Sequence, residues 1–156
     1  HPGNFMVSSS LELIAIDFGC IKTIPEDFYV PYFELSKKQN IEDMERFKKL
    51  LGVLEILLDT DTPEESTYFI QLFQKMMRLF TLPFHDKHFD FSDPDFWNSI
   101  SNLSKEFTED SQLRQMNGNR GSKHFIYMNR TFFGLYHLLY DLKAQISTEA
   151  FRKYLS

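Results

Sequence analysis

Two side chains near the start of the chain have the right chemistry to hold a metal ion. Asn4 ends the run His1-Pro2-Gly3-Asn4, and Asp17 opens Asp17-Phe18-Gly19, thirteen positions later (17 − 4). An amide oxygen and a carboxylate are both hard donors, the kind that Mg²⁺ takes. Between them, Phe5-Met6-Val7 and Glu12-Leu13-Ile14-Ala15-Ile16 flank Ser8-Ser9-Ser10. Short apolar runs around a small polar turn read as a β-hairpin. Such a hairpin would hold Asn4 and Asp17 rigidly on either side of a nucleotide's phosphates, where a bound cation offsets the phosphate charge. Phe18 and Gly19 complete the candidate cofactor-binding set, Phe18 as packing that sets the pose of its Asp neighbour. The tripeptide alone is unspecific, and a strand-end Asp17 turning with Gly19 is the simpler alternative. The order Asn, hairpin, Asp-Phe-Gly is what favours the metal.

That order and spacing match the protein-kinase arrangement, in which a catalytic-loop Asn and the Asp of Asp-Phe-Gly ligate the nucleotide's magnesium. The fuller strings His1-Pro2-Gly3-Asn4-Phe5 and Leu13-Ile14-Ala15-Ile16-Asp17-Phe18-Gly19 are more specific. They resemble the UbiB/AarF (ADCK) family of atypical, protein-kinase-like proteins. A looser similarity to the family's C-terminal helix runs over Phe125-Ile126-Tyr127-Met128-Asn129-Arg130-Thr131-Phe132-Phe133-Gly134-Leu135. The resemblance implies the C-terminal lobe of a kinase-like fold and binding of ATP with Mg²⁺. It also implies an ATPase, small-molecule kinase or protein kinase role tied to isoprenoid quinone (ubiquinone) or other lipid metabolism. The partners it implies are the nucleotide, an isoprenoid lipid and quinone-biosynthesis proteins. The family's catalytic Asp would stand two residues upstream of His1, and the nucleotide lobe, its Lys and the Lys-x-Gly-Gln extension are not in this sequence. The chain therefore reads as a fragment: one partial domain, residues 1–22 a metal-binding hairpin and residues 23–156 a helical region, inactive by itself. The competing expectation is a catalytically inactive helical interaction module with a degenerate kinase loop.

The elements that must position the hairpin are helical. From Thr23 on, apolar residues recur at helical spacing, which predicts a mainly α fold with helices over 26–38, 41–58, 63–81, 94–107 and 129–144. The inward faces are Phe28, Tyr32 and Leu35; then Ile41, Met44, Phe47, Leu51, Leu54 and Leu58. The third helix should bury Phe69, Leu72, Phe73, Met76 and Phe80, and the fourth Phe96, Ile100, Leu103 and Phe107. The last long helix should bury Phe132, Leu135, Tyr136, Leu139 and Leu142. Thr62-Pro63-Glu64-Glu65 has the composition of a capping box with proline at the first helical position. Pro83 ends that helix, and Ser147 is placed to cap a short final one. These Phe-rich stripes read as core, with a lipid groove between helices as the alternative.

The remaining candidates have plain readings. Phe84-His85-Asp86-Lys87-His88-Phe89-Asp90 offers two His and two Asp but reads as a solvated inter-helix loop rather than a zinc site. Asp59 and Asp61 lack the rest of a calcium loop and read as helix-end carboxylates. Asn117 to Lys123 reads as a plain loop rather than a phosphate grip, Arg130 as an ion-pair partner of a helix acid, and Cys20 as a small buried residue. A net charge of −5 argues against nucleic acid, and against simple electrostatic binding to anionic lipid. One cysteine excludes an internal disulfide. No apolar run is long enough to span a bilayer, and the expected location is cytoplasmic, with a peripheral membrane location as the second option.

Overall fold

In a computed structural model, residues 2–10, 12–17, 21–109 and 120–155 are described. Strands β1 (Phe5–Val7) and β2 (Leu13–Ala15) form an antiparallel hairpin. Helices α1 (Glu26–Ser36), α2 (Lys38–Glu42), α3 (Met44–Val53), α4 (Pro63–Thr81) and α5 (Pro94–Glu109) follow. Strand β3 (His88–Asp90) lies between α4 and α5. Helix α6 (His124–Asp141), strand β4 (Gln145–Ser147) and helix α7 (Glu149–Arg152) complete the order. Helix makes up 63% of the described residues and strand 9%, so the fold is mainly helical behind a short hairpin, as the sequence predicts.

α4 is the central element and packs against α1, α2, α3 and α5. Its start is local chemistry. The Glu65 N–H donates to Thr62 Oγ1 at 3.2 Å, the Thr62 N–H donates back to Glu65 Oε2 at 2.9 Å, and Pro63 sits at the first helical position. Two of the orphan donors of the first turn are thereby paired. Phe69, Leu72, Phe73, Met76 and Phe80 are buried, together with Met77. Tyr136 of α6 reaches across and donates its hydroxyl to the Phe80 carbonyl, which fixes α6 against the end of α4.

Several boundaries differ from the sequence reading. The expected helix over 41–58 is broken at Asp43, whose carboxylate accepts from the Glu45 and Arg46 N–H groups and starts α3. α3 then ends early in a Schellman turn. The Ile56 N–H donates to Leu51 O and the Glu55 N–H to Gly52 O, with Glu55 at φ 60°. Met44 and Leu58 are consequently exposed rather than inward. α6 starts five residues before the expected 129 and ends in a second Schellman turn, with Lys143 at φ 49° and the Ala144 N–H donating to Leu139 O. Within α6 only Tyr136 of the expected inward set is fully buried; Phe132 and Leu139 are partly so, and Leu135 and Leu142 face solvent.

The loop expected at 84–90 is not simply solvated, and residues 23–156 are not purely helical. β3 pairs antiparallel with β4 in the register Phe89↔Ile146, and Phe89 packs on Phe91 and Phe96. Thr148, buried, donates its hydroxyl to Asp86 O, and it rather than Ser147 takes the N-cap position of α7. Arg130 is exposed and has no ion-pair partner among the described residues.

The largest departure concerns Asp61 and the 117–123 loop, of which residues 120–123 are described. Asp61 is the helix-end carboxylate beside the Thr62 cap that the sequence predicts, but its side chain is buried. Arg120 holds it with two bonds of 2.6 Å, the side chains being 7% and 1% exposed for Arg120 and Asp61. Arg120 also donates to Ile56 O at 3.0 Å and stacks over Phe69 at 4.2 Å. The Arg120 hydrogen bonds hold the Asp61 carboxyl below its usual range; burial opposes this, and the Leu58 N–H adds to it. Breaking such a pair from one side leaves a buried charge uncompensated. Arg120→Met should therefore lower unfolding stability by about 3–5 kcal/mol, and Asp61→Leu/Arg120→Met should recover most of it. Because the folded pKa of Asp61 lies below the unfolded value of about 3.9, the pair's contribution is complete above that pH and is lost as pH falls through the folded value. Urea melts at pH 7 and in acid check both points. A loss under about 1 kcal/mol in Arg120→Met would show the pair to be dispensable.

Candidate functional site

The hairpin ladder is built to bring the two predicted metal ligands to one end. The register Phe5↔Ala15, Met6↔Ile14, Val7↔Leu13 continues at the turn, where the Ser8 N–H donates to Glu12 O at 3.0 Å. Serine hydroxyls close that turn: the Glu12 N–H donates to Ser8 Oγ, and Ser10 Oγ donates to the Glu12 carboxylate. At the open end one more rung forms, the Ile16 N–H donating to Asn4 O at 2.9 Å. Asn4 thus lies opposite Ile16, and Asp17 is the next residue on the neighbouring strand. Ahead of the rung, Pro2–Asn4 form a single 3₁₀ turn.

Asn4 is half-buried and Asp17 exposed. The donor set is one amide oxygen and one carboxylate, and among the described residues no group of three or more His, Cys, Asp or Glu is gathered to hold a metal. This fits Mg²⁺ taken together with phosphate oxygens, since that ion keeps much of its shell from water and substrate and needs one or two side chains from the protein. It does not fit a cation caged by protein alone. Phe18, Gly19 and Cys20 of the sequence reading lie outside the described residues.

Both strands of the hairpin are exposed on both faces. The segment after Asp17 is tied to the helical body. Ile24 packs on the core, and the Lys22 ammonium lies 5.4 Å from the centre of the Tyr127 ring on α6. Phe28 of α1 then meets His124 and Phe125 at the start of α6. The loosely similar stretch from Phe125 to Leu135 is thus the first two-thirds of the helix on which the post-hairpin segment rests.

Sequence reasoning missed a second group of chemically significant side chains, Lys38, His85 and Arg152, which line one cavity. They come from three elements far apart in the chain, and no local spacing announces them. No helix among the described residues is long and apolar enough to cross a membrane. Comparison with protein-family models, curated proteins and solved structures finds no match.

The placement of Asn4 beside Asp17 depends on the last rung, which can be tested directly. In amide hydrogen exchange the Ile16 N–H should exchange more slowly than its random-coil rate, because opening the rung must precede exchange. Exchange at the random-coil rate would mean that nothing holds Asn4 and Asp17 at one end.

Proposed function

We propose that this chain carries the magnesium-holding part of an ATP-binding, kinase-like phosphotransferase or ATPase, with Asn4 and Asp17 as the metal ligands. The observation that supports the reading is the Ile16–Asn4 rung, a backbone bond at the open end of the hairpin that leaves Asn4 and Asp17 on neighbouring strands there. The resemblance of the strings around Asn4 and Asp17 to the UbiB/AarF family supports the same reading and suggests a link to isoprenoid quinone or lipid metabolism. Bound Mg²⁺ would offset charge on the nucleotide's phosphates; the protein's part is to fix two oxygens in place beforehand, at no cost in ordering when the nucleotide arrives. The same resemblance assigns the catalytic Asp and the phosphate-gripping Lys to sequence ahead of His1. This chain alone should therefore bind nucleotide weakly and not turn it over.

A second reading, a helical interaction module without turnover, draws on the exposed apolar hairpin. Met6, Val7, Leu13 and Ile14 all face solvent, and such a surface is suited to a covering partner. In the leading reading the cover is a nucleotide-binding lobe; in the second it is another protein. Nucleotide binding separates them.

In the full-length protein, Asp17→Asn should abolish most of the rise in melting temperature that ATP produces at fixed Mg²⁺. It should leave the unliganded melting temperature within about 2 °C, since the exposed amide keeps the shape. The lost attraction between carboxylate and divalent cation is on the order of several kcal/mol. Asp59→Asn, at another exposed carboxylate, should change neither quantity. An Asp17→Asn protein that keeps the full nucleotide shift while losing unliganded stability would make Asp17 a turn residue and end the nucleotide reading.

A further inference from the structure

An apolar cavity of about 470 Å³ opens between α1, the end of α4, α6 and the chain after β4. That size lies within the range of about 300–1,000 Å³ usual for small-molecule sites. Its floor is the stacked pair Phe80 and Phe132, with centroids 4.7 Å apart, and Phe33 of α1 forms a wall. Its lip is aromatic and exposed: Tyr29 at 41%, Phe151 at 54% and Tyr154 at 57%. Besides the phenols of Tyr29 and Tyr154, two aliphatic hydroxyls border it, those of Ser36 and Thr81, and both are bonded to backbone. Ser36 donates to Tyr32 O at 2.9 Å, and Thr81 donates to Met77 O at 2.8 Å. The cavity thus offers hydrocarbon and ring surface, with its Ser36 and Thr81 hydroxyls already satisfied. A peptide, whose backbone groups need partners, finds none in Ser36 or Thr81.

A second cavity of about 250 Å³ adjoins it, sharing Ser36, Thr81, Phe84 and Leu155, and its character is opposite. Lys38, His85 and Arg152 line it. Neither Lys38 nor Arg152 has an acidic partner within ion-pair distance among the described residues, although the chain carries a net charge of −5. His85 Nε2 is buried with no hydrogen-bond partner among the described residues. Burial, and then the Lys38 charge, hold its imidazole below the ordinary pKa, with Asp86 pulling the other way. Two cations without an ion-pair partner among the described residues, at one end of an apolar chamber in an acidic protein, specify both ends of a ligand by charge and polarity.

We propose that the joined cavities bind a single-chain amphiphile with an anionic head, its tail over the Phe80–Phe132 floor and its head between Lys38 and Arg152. The shared chemistry is one anion on one hydrocarbon chain; carboxylate and phosphate heads both satisfy it. The site is separate from the hairpin and stands whether or not the chain binds nucleotide.

The test is calorimetric titration of the purified protein, below micelle-forming concentrations, with dodecanoate, dodecyl phosphate, dodecanol, dodecyltrimethylammonium and inorganic phosphate. The two anionic amphiphiles should bind at least about tenfold more tightly than dodecanol, and far more tightly than the cation or inorganic phosphate. Which of the two binds better identifies the head as a carboxylate or a phosphate. Lys38→Glu/Arg152→Glu alters side chains that pair with no described acid, so the fold should persist by circular dichroism. This variant should weaken dodecanoate at least about tenfold and strengthen dodecyltrimethylammonium. Phe151→Ser, at the exposed lip, should weaken all the amphiphiles and leave their order unchanged. Dodecanol binding as tightly as dodecanoate, inorganic phosphate binding as tightly as dodecyl phosphate, no binding by any probe, or a charge-reversed variant that binds dodecanoate like wild type would each overturn the proposal.

Discussion

The ion pair between Arg120 and Asp61 ties together the end of α3, the start of α4 and the segment that leads into α6. The two residues are 59 positions apart, yet their little-exposed side chains meet in two bonds. Asp61 directly precedes Thr62, so holding its carboxylate fixes the capping residue of α4. The same guanidinium takes the Ile56 carbonyl, and the Gly121 N–H takes the Glu55 carbonyl at 2.8 Å, which together lock the turn that ends α3. Gly121 has φ +75°, where a side chain is strained, and a Cβ there would lie 2.7 Å from Ile56 Cδ1 and force that side chain to shift. Three residues further on, α6 begins. An apolar pair of similar volume would hold these segments nearly as tightly. What the charged pair adds is direction, because a planar guanidinium facing a carboxylate with two bonds accepts one relative geometry.

This interaction also marks the limit of what the sequence discloses. The boundaries of α4 are legible because its capping box and its proline stop are local, each made within four residues. The break at Asp43 is local too, but a short polar residue inside an apolar period competes with a strong stripe, and the stripe suggests continuity. Glu55 and Lys143 end their helices in the left-handed conformation without the glycine that would announce it. Their turns follow from tertiary contacts, as the hydrogen bond from Gly121 to Glu55 illustrates. The β3–β4 pair is only three residues per strand and joins segments 55 or more positions apart, so neither strand carries a period long enough to read. Asp61 and Arg120 each look like an ordinary loop charge until the fold brings them together.

The candidate sites divide along the same line. The backbone placement of Asn4 and Asp17 is legible because a hairpin is a short-range object: its turn chemistry and strand register fix that placement within fourteen residues, counting both ends (4 to 17). The joined cavities are assembled from α1, the end of α4, α6 and the last residues, and the sequence shows only that aromatic stripes are present. A stripe at helical spacing does not say which of its members fill the core and which border a space. Here the division within α1 is sharp. Phe28, Tyr32 and Leu35 enter the core, while Tyr29 and Phe33, each one position on, turn to the cavity.

That division determines how the two regions can influence each other. α1 follows the hairpin and walls the cavity, so it is the shortest physical path between them. Its core face is close-packed: Phe28 stacks on Tyr32 at 5.6 Å and meets Phe125 edge-on at 5.0 Å, and Leu35 is fully buried. A helix held this way does not slide continuously, because small displacements cost contacts along its whole length. A tail in the cavity would add apolar contact to Phe33 and Phe132 and so stabilise α1 and α6 where they stand. It would not alter the Ile16–Asn4 rung, which depends on hydrogen bonds within the hairpin. The physical expectation is two sites that share a scaffold and contribute additively to its stability, each through the ligand it holds.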